Sequence, residues 1–151
     1  MIRIASIAAA VLALSAPALA QDAAAQPGAS TPDSLRLPLI QGVSAAPDCG
    51  GLYDLAGRFQ CMTGELSLIG DAAEVYVNAL LQSGWDALGG AANQAVFQRR
   101  AEAGCDVLEM ITFYDFDLPE DQLAGAPGYI GLAMSLDAPC LQAGAVAAPG
   151  E

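Results

Sequence analysis

Residues 71–84 read DAAEVYVNALLQSG, and this stretch decides the predicted fold because it specifies the best-defined amphipathic helix of the chain. Asp71 predicts an N-cap, and Glu74 follows three positions later in a capping-box arrangement. Apolar side chains then recur at the spacing of a single helical face, in the order Ala73, Tyr76, Val77, Leu80 and Leu81. We therefore expect a helix over 71–83 whose apolar face packs against a β-sheet.

The predicted end of this helix is equally well marked. Gly84 is suited to the C′ position, where the backbone adopts the left-handed conformation that glycine tolerates best. Trp85 would then follow at C″ and contact Leu80, as in a Schellman-type end. We interpret Trp85 as a structural side chain that closes the core rather than as a platform for a ligand.

Apolar and β-branched residues predict strands on both sides of the helix. One precedes it and the others follow, and the run at 105–116 is apolar on both faces, which indicates a central strand. The expected fold class is α+β: a two-layer sandwich with one main helix on a mostly antiparallel sheet, in the order β-α-β-β-β. The strands in this order are 59–69, 85–88, 96–99 and 105–116, with a loop at 89–93, and after a short helix the segment 128–136 is predicted as a last strand.

The four cysteines predict two structural disulfides. Cys49, Cys61, Cys105 and Cys140 are dispersed and contain no C-x-x-C pair, so neither a thioredoxin-like redox motif nor a closely paired thiolate metal site is indicated. Dispersed, even-numbered cysteines are typical of exported proteins. Three connectivities are formally possible, and we favour Cys49–Cys61 with Cys105–Cys140 because the first pair flanks one short segment.

The first twenty residues have the pattern of a cleaved export signal. Arg3 precedes an apolar run, and Ala18-Leu19-Ala20 forms an A-x-A cleavage site. We expect a signal peptide over 1–20 and an exported mature chain, in the periplasm or outside the cell, with no stable membrane anchor. The remaining regions are predicted as a disordered Pro/Ala-rich linker over 21–47, a disulfide-stabilised domain over 48–141 and a flexible tail over 142–151.

Charge and composition restrict the chemistry. The formal net charge of −12 disfavours nucleic-acid binding and leaves a basic partner surface or cations as favoured contacts. The sequence contains no lysine and no histidine. Serine–histidine catalysis, a P-loop lysine, a Schiff base and an imidazole-bound zinc are therefore all excluded, and no cofactor is predicted.

Two residue groups near the end of the long strand are candidates for function. Carboxylates concentrate after it, and aromatic side chains lie within it at Phe113, Tyr114 and Phe116. We interpret the aromatic residues as core rather than as a partner-binding patch. The carboxylates fit a solvated turn in which Asp117 begins a short helix, while a divalent-cation site and an acid/base pair remain as alternatives. The candidate acidic residues are Asp115, Asp117, Glu120 and Asp121.

The sequence thus favours an exported, non-enzymatic envelope or secreted module that binds a protein partner or a small ligand. A carboxylate-based hydrolase is one alternative, and a divalent-cation or small-ligand binding protein is the other. A hydrolase requires paired acids in an open cleft, and a cation site requires several oxygens that converge on one point.

Overall fold

The computed structural model describes residue 35 and residues 37–142. Within them, one α-helix packs on a six-stranded sheet whose neighbouring strands all pair antiparallel, in the order β1-β2-β6-β5-β4-β3. This arrangement confirms the predicted α+β class. The elements are β1 Ser44–Ala45, β2 Gln60–Glu65, α1 Leu66–Gln82, β3 Asp86–Ala91, β4 Gln94–Arg100, β5 Cys105–Tyr114 and β6 Pro127–Ala138, with 3-10 turns at Cys49–Gly51 and Glu120–Gln122.

The connection through α1 determines the strand order. β2 leads directly into α1, which crosses one face of the sheet and delivers the chain to β3 at the far edge. Antiparallel hairpins then bring β4, β5 and β6 back across the sheet, so that β6 pairs with β2. None of the helices among the described residues is long and apolar enough to span a bilayer.

The helix begins at Leu66, five residues before the predicted start, and the predicted N-cap is wrong. Asp71 and Glu74 are exposed within the helix, and the residue at the N-cap, Glu65, makes no side-chain capping bond. The Leu66 N–H instead donates to the Ala126 carbonyl at 2.8 Å. A distant part of the chain therefore accepts one of the free N–H groups of the first helical turn. No local capping signal in the sequence marks this helix start.

The buried helical face agrees with the predicted stripe except at Leu81, because Ala73 and Val77 also pack against the core. Ile69, Ala72, Tyr76 and Leu80 are buried, whereas Leu81 is 45% exposed. The Tyr76 hydroxyl donates to Met62 Sδ at 3.4 Å, and burial raises the pKa of Tyr76 above its ordinary value. Ile69, which precedes the predicted start, extends the same buried face by about one turn.

The predicted end of the helix is confirmed. The Gly84 N–H donates to the Leu81 carbonyl at 3.2 Å and the Trp85 N–H to the Leu80 carbonyl at 3.1 Å, the two bonds of a Schellman motif. Gly84 has φ of +82°, the left-handed conformation that this motif requires. Trp85 is 3% exposed, with the Arg99 guanidinium 4.7 Å from its ring centroid, so it packs as a core residue.

Each face of the sheet has its own core. Alternate residues of β5 point in opposite directions, so Leu108 and Met110 pack beneath the helix while Phe113 packs on the other face. The second face is covered by the segment 46–59, which the Cys49–Cys61 disulfide ties to β2. This explains why β5 is apolar on both faces, as the sequence predicts. The buried residues of this second core, from the segment and from the sheet together, are Ala46, Cys49, Leu55, Phe59, Cys61, Phe113 and Tyr129.

Both predicted disulfides are present, Cys49–Cys61 and Cys105–Cys140. The first closes the segment 46–59 onto β2, and the second ties the residues after β6 to the start of β5. Such cross-links persist in oxidising compartments, so the two disulfides indicate an exported location.

Three local predictions are corrected by the structure. The glycine loop predicted at 89–93 is a continuation of β3, whose Gly89 and Gly90 pair with β4 and leave only residues 92 and 93 in the turn. The helix predicted from Asp117 is only a 3-10 turn, with Pro119 as its N-cap. The sequence also predicts one helical turn over Leu52, Tyr53 and Leu55, whereas the structure has a 3-10 turn earlier, at Cys49–Gly51.

The part of the predicted linker that the structure describes is packed against the domain. Ser44–Ala45 pairs with β2, and Leu35, Leu37, Ile40 and Val43 pack against the core under the helix. Ordered structure therefore begins before residue 48, the start predicted for the domain. The predicted signal peptide, residues 21–34 and 36, and the tail from 143 onward lie outside the described residues.

Candidate binding surface

Five aromatic side chains meet where β5 ends, and we call them the aromatic end: Tyr53, Phe113, Tyr114, Phe116 and Tyr129. Their rings form a continuous series of contacts. Phe113 stacks on Tyr129 with centroids 5.1 Å apart, and Tyr53 meets Phe113 edge-on at 6.1 Å. Phe116 completes the series, 5.8 Å from Tyr53 and 4.5 Å from Tyr114. Centroid separations of this size are those of favourable aromatic pairs.

Burial divides the aromatic end into an inner and an outer part. Phe113 and Tyr129 are 5% and 8% exposed, so they belong to the core. Tyr53 and Phe116 are 49% and 59% exposed and present their rings to solvent. The prediction that the aromatic residues of this strand are core is therefore right for Phe113 and wrong for Phe116, which follows the strand rather than lying in it.

The exposed rings are held in place by the backbone around them. The Tyr53 hydroxyl donates to the Tyr114 carbonyl at 2.8 Å and accepts from the Phe116 N–H at 3.0 Å. It thereby joins the segment 46–59 to the chain just after β5. Its two hydrogen bonds fix the position of Phe116 as well as its own.

The chain reaches this position through an unusual backbone. Tyr53 and Asp54 have φ of +54° and +51°, a left-handed conformation that costs each non-glycine residue roughly 1–2 kcal/mol. Gly50, with φ of +67°, lets the Tyr129 hydroxyl approach so closely that a Cβ at position 50 would clash with it. The Cys49–Cys61 disulfide and the Tyr53 hydrogen bonds maintain this conformation against its cost.

Phe116 forms a ridge between two hollows. One, of about 440 Å³, lies on the helix side and includes Leu66, Ile69 and Thr112 in its wall. The other, of about 270 Å³, lies on the opposite side and includes Tyr53 and Ile111. The surface therefore combines a projecting ring with a depression on each side, a shape suited to interlocking contact with another surface.

The four predicted acidic residues follow the aromatic end directly. Asp115 Oδ1 accepts the Asp117 N–H at 3.0 Å in a local turn, and Glu120 and Asp121 lie exposed in the second 3-10 turn. Across the described residues, no three acidic or cysteine side chains are grouped so that they could hold a metal ion. The walls of both hollows beside Phe116 contain none of these four carboxylates. The structure thus places these carboxylates next to the exposed rings, in a solvated turn.

Positive charge is scarce around this surface. Arg58, Arg99 and Arg100 are the arginines of the described part of the chain, which has no lysine. In that part, the ion pair that forms is Arg99 with Asp106, 2.9 Å apart on neighbouring strands β4 and β5. The carboxylates beside the aromatic end are therefore not neutralised by an ion pair within the described residues.

A calcium titration tests the cation alternative at these carboxylates. We expect millimolar calcium to leave the melting temperature unchanged, because the four side chains do not converge on one point. A saturated site would stabilise the fold by several kcal/mol. The matched variant replaces all four carboxylates by amides (Asp115→Asn, Asp117→Asn, Glu120→Gln and Asp121→Gln). A marked rise in melting temperature for the natural chain, absent from this variant, would establish the cation site instead.

Comparison with protein-family models, curated proteins and solved structures found no match to this chain.

Sequence reasoning does not identify Tyr53 as part of the candidate surface, whereas a local signal for the exposure of Phe116 is present. Phe116 lies between Asp115 and Asp117, and a large apolar residue flanked by two carboxylates is less suited to a buried strand than to an exposed turn. Tyr53 gives no comparable signal, because its position depends on hydrogen bonds to residues more than sixty positions away.

Proposed function

We propose that the chain is an exported binding module that presents the aromatic end to a protein partner in the envelope or outside the cell. The observation that carries this proposal is the pair of rings of Tyr53 and Phe116, which are in contact with each other and about half exposed. Exposed tyrosine and other aromatic side chains contribute a large share of the binding energy at protein interfaces.

The contiguity of these rings supports the proposal. Other large apolar side chains are exposed, among them Leu39, Val75 and Leu136, but they lie on separate elements. Single exposed apolar residues are normal on protein surfaces, whereas contiguous exposed apolar groups are typical of interaction sites. Tyr53 and Phe116 form such a group together with the partly buried Tyr114.

The rigidity of the surface is the second supporting argument. Side chains that are already fixed lose less conformational entropy when a partner binds, so more of the contact energy appears as affinity. The hydroxyl of Tyr53 is bonded on both sides, and its loop is closed by a disulfide. A backbone strained at Tyr53 and Asp54 is retained because the surrounding contacts enforce it, and strain of this kind is concentrated at functional sites.

The charge beside the rings indicates the complementary partner surface. Asp54, Asp115 and Asp117 lie next to Tyr53 and Phe116 in sequence, and none of them forms an ion pair with a described residue. A partner with arginine or lysine at the rim of its contact region would associate faster with this surface. It would also be selected over a partner whose contact region is acidic. The net charge of −12 acts in the same direction over longer distances.

Capture from the exported fraction of the source organism tests the proposal. We expect Phe116→Ser to weaken retention of a partner by about thirtyfold, the effect of losing an interface residue worth about 2 kcal/mol. The fold should remain intact, because the ring is largely exposed and surface substitutions change stability by about 0.5 kcal/mol or less.

Leu136→Ser is the matched control. Leu136 is 50% exposed and lies on β6, seven residues beyond Tyr129. The substitution therefore removes a similarly exposed apolar side chain far from the aromatic end. The control should retain the partner like the natural chain. If Leu136→Ser loses the partner and Phe116→Ser keeps it, the binding surface lies elsewhere.

A further inference from the structure

An apolar groove lies where β1 and the start of β2 meet Leu35 and Leu37. Its volume is about 680 Å³, within the range of small-molecule sites. The deeper wall is formed by Phe59, Met62 and Leu132. Gln60 is the one polar, hydrogen-bonding side chain among the described residues of the wall. A groove of this composition favours a ligand that is mainly hydrocarbon.

None of the described wall residues is charged, and the charged side chain recorded against one of them is the cation Arg58. Arg58 lies between two residues of the wall, Gly57 and Phe59, and its guanidinium carbon is 6.0 Å from the centroid of the Phe59 ring. Arg58 is exposed, and no carboxylate of the described residues lies within ion-pair distance of it. The hydrocarbon groove therefore has an unneutralised positive charge beside it, in a protein whose net charge is strongly negative.

We propose that this groove binds a free, single-chain anionic amphiphile of the fatty-acid class. The alkyl chain lies along Phe59, Met62 and Leu132, and the carboxylate faces the Arg58 guanidinium. The charge complementarity selects an anionic head over a neutral one, and the apolar wall supplies the affinity. The groove shares no wall residue with the two hollows beside Phe116, so this assignment does not rest on the proposed function.

Isothermal titration of the mature, delipidated protein with saturated fatty acids below their micellar concentration tests this assignment. Dodecanoate should bind saturably at one site per chain. From octanoate to dodecanoate the affinity should rise roughly fourfold per methylene, the factor expected for each buried CH₂. An affinity that is independent of chain length would overturn the proposal, because the hydrocarbon would then not be inside the groove.

Variants separate the chain contact from the head-group contact. Ala45→Trp and Leu37→Trp each place a ring in the groove and should weaken dodecanoate binding by about tenfold or more. Two positions are used so that one remains informative if the other unfolds, which melting curves reveal. Arg58→Gln should lower the affinity for dodecanoate by roughly two- to fivefold, the range of an exposed ion pair. The affinity for uncharged dodecanol should not change.

Arg100→Gln is the matched charge control, because Arg100 is an exposed arginine at the end of β4, away from the groove. This variant should bind dodecanoate with the same affinity as the natural chain. Equal losses for Arg58→Gln and Arg100→Gln would show a general charge effect and contradict the assigned head-group contact. Binding to phosphatidylcholine vesicles without binding of dodecanoate would show that the groove takes membrane lipid, and would overturn the assignment to a free fatty acid.

Discussion

Leu80→Ala is expected to lower the free energy of unfolding by roughly 2–5 kcal/mol, the range found for buried leucines. Leu80 is 1% exposed, and it packs in the core between the helix and the sheet together with Trp85. Removal of its side chain leaves a cavity that the surrounding helix and strands fill only in part. Denaturant melts of the oxidised protein measure the loss.

The neighbouring residue supplies the control for this prediction. Leu81→Ala removes the same atoms from a side chain that is 45% exposed, and it should change stability by about 0.5 kcal/mol or less. The difference in the free energy of unfolding between the two variants shows which face of the helix is buried. Equal losses would mean that the helix is rotated relative to the sheet, contrary to the structure.

Loss of the Cys49–Cys61 disulfide is expected to lower the free energy of unfolding by a similar amount. In the chain-entropy model, a cross-link that closes a loop of this length contributes about 3 kcal/mol. Both sulfurs are buried, so Cys49→Ala with Cys61→Ala also creates two small vacancies in the second core. Denaturant melts of the double variant should show a loss of about 3 kcal/mol or more.

The second disulfide separates a general loss of stability from a local effect. Its loop spans 35 residues, so the variant Cys105→Ala with Cys140→Ala should lose slightly more stability in the same model. Only the Cys49–Cys61 variant should also accelerate amide exchange around Tyr53, because that disulfide closes the segment carrying Tyr53. Equal acceleration in both variants would show that the aromatic end does not depend on the first disulfide.

The sequence predicts those features whose causes are local. The Schellman end at Gly84 and Trp85 depends on residues within one turn of each other, and its prediction is confirmed. The apolar character of both faces of β5 likewise belongs to the strand itself. The predicted disulfide pairing also has a local basis, because Cys49 and Cys61 flank one short segment, and both disulfides are present in the structure.

The features that the sequence misses have distant causes. The helix begins at Leu66 because its amide bonds to Ala126, sixty residues later, and the better local cap at Asp71 is not used. The exposure of Phe116 follows from the end of β5 at Tyr114, beyond which strand alternation no longer applies. Tyr53 is placed by hydrogen bonds to that same part of the chain. The candidate surface is thus assembled from two segments, and neither alone indicates it.

A photo-activatable phenylalanine analogue at position 116 tests the central claim most directly. The altered chain is expressed in cells that naturally export this protein, and the same analogue at position 136 provides the comparison. If the aromatic end binds a protein partner, illumination should give one discrete cross-linked product from position 116 and none from position 136. Cross-linking from position 136 but not from position 116 would contradict the account and place the binding surface at the other end of the sheet.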